Sequence, residues 1–162
     1  MKSLLLMRHA KSVHPDGMND HERPLNDRGR KDAPAMGRLL KDEGFVPDII
    51  VSSTAVRALT TARLAAEACG CKNEVAVARE LYLPHPNEML QVMAAQPDDA
   101  QCIMLVSHNP STEALVHFLT GALEPVPTAA IAHIELDIDS WSTKHPERGA
   151  KLKHFWCPRD IG

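Results

Sequence analysis

The sequence predicts an α/β protein, a three-layer α/β/α sandwich on a mixed, mostly parallel central sheet. Apolar, strand-like runs alternate along the chain with segments of helical periodicity, without internal repeats or low-complexity linkers. Three of those runs, Leu4-Leu5-Leu6, Ile49-Ile50-Val51 and Ile103-Met104-Leu105-Val106, also lead directly into polar residues that include arginine or histidine. The 162 residues, 44% hydrophobic and 24% charged, suit one domain over 1–162 with a core large enough to fold alone.

Strand one is expected over roughly Lys2 to Met7. The polar stretch from Val13 to Leu25, with Pro15, Gly17 and Pro24, predicts a loop. Asn26 can cap a helix whose Ala33, Met36, Leu39 and Leu40 share one face and which stops at Gly44; Pro34 inside it predicts a kink or a break. A second strand, Asp48 to Ser53, precedes a helix capped by Ser53 or Thr54 and running to Ala68, with Arg57 in its first turn and Gly70 as its stop. Glu74 to Ala78 is expected as a short strand, followed by Arg79-Glu80-Leu81-Tyr82, a Pro-rich turn and a helix from Asn87 to about Ala95. The strand ending at Val106 gives way to a helix from Pro110 to Leu119, and Ile131 to Ile138 and Ala150 to Trp156 supply the last two strands.

In an open parallel sheet the carboxyl ends of the strands share one edge, so Arg8, His9, Arg57 and His108 can converge despite their separation in sequence. Two guanidiniums and two imidazoles around one point describe a site for a phosphoryl group, and a helix beginning just before Arg57 adds its free backbone amides.

Four blocks carry a family resemblance in the right order: Leu6-Met7-Arg8-His9-Ala10-Lys11-Ser12; Glu22-Arg23-Pro24-Leu25-Asn26-Asp27-Arg28-Gly29; Ser52-Ser53 with Arg57-Ala58 and Thr61-Ala62; and Val106-Ser107-His108-Asn109-Pro110. Together they run from the first strand to about two thirds of the way along the chain. The sequence resembles the phosphoglycerate-mutase-like histidine phosphatase superfamily, and within it the short SixA type of phosphohistidine phosphatase. Many superfamily members have Gly where this chain has Ala10, and the Ala form is similar to the SixA branch.

That resemblance implies a phosphoglycerate-mutase-like fold and a mechanism that agrees with the chemistry of the residues. His9 is expected as the nucleophile that takes the phosphoryl group, Arg8 and Arg57 as its electrostatic clamp, and His108 as a further hydrogen-bond donor. Ser12 and Arg23 are candidates for the phosphate pocket, Arg23 in a supporting role. Many superfamily members place a carboxylic acid after the third strand, and Glu80 is the candidate proton donor, with a surface pairing to Arg79 as its competing reading. Imidazole leaves more readily than an alkoxide, and the connections after strands one and three are short. The expected substrate is therefore a phosphohistidine on a signalling or phosphocarrier protein. The alternatives are a broad phosphomonoesterase of small metabolites and a noncatalytic phosphate-binding module.

No cofactor or metal is expected. His14, Asp16, Asp20 and His21 cluster in one loop, but its turn-forming residues fix no ligand geometry, and Cys69-Gly70-Cys71 lacks the spacing of a metal or redox pair. A net charge of −3 gives no basic footprint for nucleic acid, and no apolar run is long enough for a membrane span. Cytoplasmic location is the default expectation.

Overall fold

The structure, a computed structural model, describes residues 1–161. In chain order its elements are β1 (Lys2–Arg8), α1 (Asp27–Glu43), β2 (Ile49–Ser52), α2 (Val56–Cys69), β3 (Ala76–Val77), α3 (Pro86–Ala94), β4 (Cys102–Ser107), α4 (Ser111–Thr120), β5 (Ile131–Leu136) and β6 (Lys151–Trp156). Short 3-10 turns lie at Asp20–Glu22, Arg79–Leu81 and Pro158–Asp160.

The six strands form one sheet in the order β3-β2-β4-β1-β5-β6. β1 to β4 run parallel, while β5 and β6 pair antiparallel on one flank. Strand side chains alternate between faces, so the continuous apolar run of β1 serves two cores. Leu4 and Leu6 join Met89, Met93, Leu115 and Val116 on the α3/α4 side, whereas Leu5 and Met7 join Met36, Leu40, Ala58 and Ala62 on the α1/α2 side. This is the expected three-layer arrangement. Among the described residues no helix is long and apolar enough to cross a membrane.

Local expectations fail at four places. Helix α1 runs unbroken through Pro34. The ring removes one hydrogen bond to the carbonyl of Arg30, an exposed residue, while Ala33, Met36, Gly37 and Leu40 stay buried. Gly37 lets the helices close: a Cβ there would lie 2.4 Å from the Ala65 carbonyl oxygen. Packing against α2 thus outweighs the local defect.

The start of α2 lies at Val56, with Ala55 in the cap position and no side-chain cap, not at Ser53 or Thr54. Those two side chains have other partners, because Ser53 Oγ meets His108 and Thr54 Oγ1 meets His21. Arg57 nevertheless stays in the first turn, and Gly70 ends the helix with φ of 76°. Pro110 is the N-cap of α4 and not its first helical residue. β3 keeps only two residues of the five expected, because at the sheet margin only Val51 and Ser52 pair with it.

Candidate active site

β4 lies between β1 and β2, so the three carboxyl ends stand side by side, with Arg8 in register with Ser107 and Ser52 with Val106. The first residue beyond β1 is His9 and the first beyond β4 is His108. Their rings are 5.2 Å apart between centroids. Arg57 reaches the same point from the first turn of α2. It is 3% exposed, and its Nη2 lies 3.4 Å from His108 Nδ1.

The hydrogen bonds fix both imidazole tautomers. His9 Nδ1 lies 2.8 Å from the Ala10 carbonyl oxygen, which can only accept, so Nδ1 carries the hydrogen and Nε2 the lone pair. Arg57 can only donate, so His108 Nδ1 accepts and its Nε2 donates to Ser53 Oγ at 2.8 Å. Burial pushes the His9 pKa down to about 4, reinforced by Arg57, Arg8 and Arg23 and opposed by the Ala10 carbonyl. Burial, then His9 and Arg57, bring His108 down to about 3. Both rings are therefore neutral near pH 7.

The cations are held by dedicated acceptors. Arg57 donates from Nη1 to the Asp20 backbone oxygen at 2.7 Å and from Nη2 to Asp20 Oδ2 at 3.0 Å. The same carboxylate accepts from Arg23 Nη1 at 2.9 Å and from the Tyr82 hydroxyl at 2.7 Å. These bonds, Tyr82 first, hold its carboxyl well below the usual range despite partial desolvation. Arg8 donates from Nη1 to the Val126 carbonyl at 3.1 Å. The Nε atoms of Arg8 and Arg57 are buried without a partner among the described residues, so each guanidinium retains donor capacity.

Arg23 braces the loop, binding the Val13 carbonyl at 2.9 Å and Ser12 Oγ at 2.8 Å besides Asp20. Ser12 is thus tied to Arg23. Glu80 is not brought into this constellation. It is exposed, shares a surface groove with Val77, Gln91 and Gln96, and forms no ion pair with Arg79 among the described contacts. Of the loop that invited a metal reading, Asp20 is engaged with two arginines, and His21 Nε2 lies 2.8 Å from Thr54 Oγ1.

Sequence reasoning missed the roles of Asp20, Ser53, Tyr82 and Asn109. Ser53 and Asn109 lie in the blocks that carry the resemblance, and Asp20 stands three residues before Arg23 in a turn, but none of these signals gives the partner. Those partners depend on which loops the sheet brings together.

The model of the histidine phosphatase superfamily (branch 1) matches residues 4–81. An uncharacterized protein of Mycobacterium tuberculosis is 31% identical over 94% of this chain and its own full length. Among solved structures, a chain of Agrobacterium tumefaciens assigned as a phosphohistidine phosphatase SixA superposes with a TM-score of 0.83. It is 28% identical, over 97% of this chain and 98% of that one. The protein histidine phosphatase SixA complexed with tungstate shares the fold at a TM-score of 0.84, with 21% identity over 99% of each chain.

Proposed function

The chain belongs to the histidine phosphatase superfamily and is a phosphatase of that class, and we propose that it removes the phosphoryl group from phosphohistidine on a protein, without a metal and through a phosphohistidine on His9. The observation that carries this reading is the tautomer of His9. Its Nε2 lone pair is free in a buried setting beside Arg57 and His108.

In this reading the His9 Nε2 lone pair attacks phosphorus, a bond forms between them, and the bond from phosphorus to the leaving group breaks with its electron pair going to that group. Water then attacks the phosphorus, and His9 is released with its lone pair restored. Arg8 and Arg57 gather the non-bridging oxygens, whose charge they balance in a desolvated site. His108 gains a proton more easily once a phosphoryl dianion is bound, and it then adds a donor. Ser12 and Arg23 hold the surrounding loop.

Leaving-group chemistry supports the substrate class. An alkoxide needs a proton donor, whereas an imidazole protonated on its distal nitrogen leaves as a neutral molecule. The exposed Glu80 is badly placed to serve as such a donor. We read residues 1–162 as a single histidine phosphatase domain. The four cysteines are free thiols, which suits a cytoplasmic location.

Phosphate release in EDTA from a phosphohistidine-bearing protein and from a phosphoserine peptide, with wild type and His9→Ala, tests the proposal. A strong preference for phosphohistidine that disappears in the variant is expected. Comparable or faster ester hydrolysis would move the assignment to a broad phosphomonoesterase. Phosphate binding without turnover would make the protein a binding module.

A further inference from the structure

Between α4 and β5 the chain crosses ten residues without regular structure, yet this segment supplies the hydrogen-bond acceptor for Arg8. Its anchorage is specific. Glu113, in the first turn of α4, accepts at Oε1 from the Val126 backbone N–H at 2.9 Å and from Asn109 Nδ2 at 2.9 Å. The second Asn109 Nδ2 hydrogen goes to the Val126 carbonyl at 2.8 Å, the same oxygen that receives Arg8 Nη1. Because both Asn109 Nδ2 contacts are pure acceptors, the amide orientation is unambiguous.

Both backbone polar groups of Val126 are thereby pinned, and its side chain is buried against Ala130 and Cys157. A carbonyl so fixed gives Arg8 one direction. We propose that Glu113 is a positioning residue that sets the affinity of the site for the phosphoryl group, acting through Asn109 and the Val126 carbonyl on the Arg8 guanidinium. Burial is the main influence disfavouring the cationic form of Arg8, and the Glu113 carboxylate opposes it whereas Arg57 adds to it, so the charge of Glu113 is in the right sense. Asn109 also follows His108 directly, so the relay joins the β1 and β4 ends of the site. The inference rests on the reading of Arg8 as a phosphoryl ligand.

Titration with inorganic phosphate, followed by calorimetry at fixed ionic strength, separates the two claims. If wild type neither binds phosphate nor hydrolyses a phosphohistidine-bearing protein, the phosphatase reading itself fails. With wild type active, Glu113→Ala is expected to weaken phosphate about tenfold, the scale of one misdirected charge-assisted hydrogen bond, and to raise KM in proportion with a smaller change in kcat. Glu113→Gln, which keeps the Oε1 acceptor, should retain most of the affinity. A folded Glu113→Ala with wild-type phosphate affinity, or with reduced kcat at unchanged KM, overturns the proposal. Should Glu113→Ala fail to fold, Asn109→Ala cuts the same relay while leaving the Glu113 bond to Val126. Unaltered phosphate affinity in that variant overturns the proposal equally.

Discussion

Asp20 holds Arg57 twice, with its backbone oxygen at 2.7 Å and its carboxylate at 3.0 Å, from a loop that precedes the arginine by 37 residues. A bidentate grip of this kind fixes the guanidinium plane as well as its position.

Asp20→Asn is expected to lower kcat/KM about tenfold, since it removes the charge that Arg57, Arg23 and Tyr82 share while keeping the side-chain shape. The pH dependence of stability follows from the depressed carboxyl. Its stabilising contribution is complete above the unfolded value of about 4 and is lost as pH falls toward the folded one. Thermal unfolding of wild type and variant should therefore differ most near neutrality and converge in acid. A gap that widened on acidification would contradict the assignment.

His9 is neutral in the free protein down to about pH 4 because burial opposes its protonation. The acid limb of kcat/KM due to this group should fall near that value and not near 6.5. Stability behaves in the same sense: the preference of the fold for neutral His9 and His108 is fully present above about 6.5 and is lost as pH drops through the folded values. An NMR titration of the His9 ring carbons decides the matter, and a midpoint near 6.5 would remove the basis for a free Nε2 in a buried site.

Gly29 packs against the loop that leaves the site. A Cβ at this position would lie 2.1 Å from the Lys11 carbonyl oxygen, a backbone atom two residues beyond His9. That oxygen also accepts from the Asn26 N–H at 3.0 Å, so it cannot simply yield. Gly29→Ala should cost about 1–3 kcal/mol in urea denaturation and reduce turnover by displacing the His9 loop. Wild-type stability in the variant would mean that α1 can shift away from Lys11 freely.

Glu80→Gln should leave turnover of a phosphohistidine-bearing protein within about twofold of wild type, as for an exposed side chain with no ion pair among the described residues. A tenfold or larger loss in steady-state kinetics would show that the Arg79–Leu81 turn moves Glu80 into the site during catalysis.

The parts of the fold that were legible in the sequence are those set by local chemistry. Runs such as Leu4 to Met7 and Ile103 to Val106 are short and apolar, as buried strands are, the Asn26 side chain caps the start of α1, Gly44 ends it in the left-handed conformation, and Gly70 ends α2 in the same way. Arg8, His9, Arg57 and His108 were legible as a group because the parallel connections leave only one edge on which they can meet. The cap of α2 was misread because Ser53 and Thr54, both good capping residues, have partners 55 and 33 residues away. Pro34 does not break α1, because the packing of α1 on α2 exceeds the cost of one lost hydrogen bond.

The sequence by itself determined the strand and helix types, the sheet edge on which the candidate site lies and the four cationic or imidazole groups delivered to it. Periodicity and residue chemistry act over a few positions, so they are readable along the chain. Tertiary structure alone decided how those groups are oriented and charged. It joins Asp20 to Arg57, Ser53 to His108 and the Val126 carbonyl to Arg8, and it buries His9 deeply enough to keep its ring neutral. Hydrogen-bond direction and desolvation depend on atoms that meet only after the chain has folded.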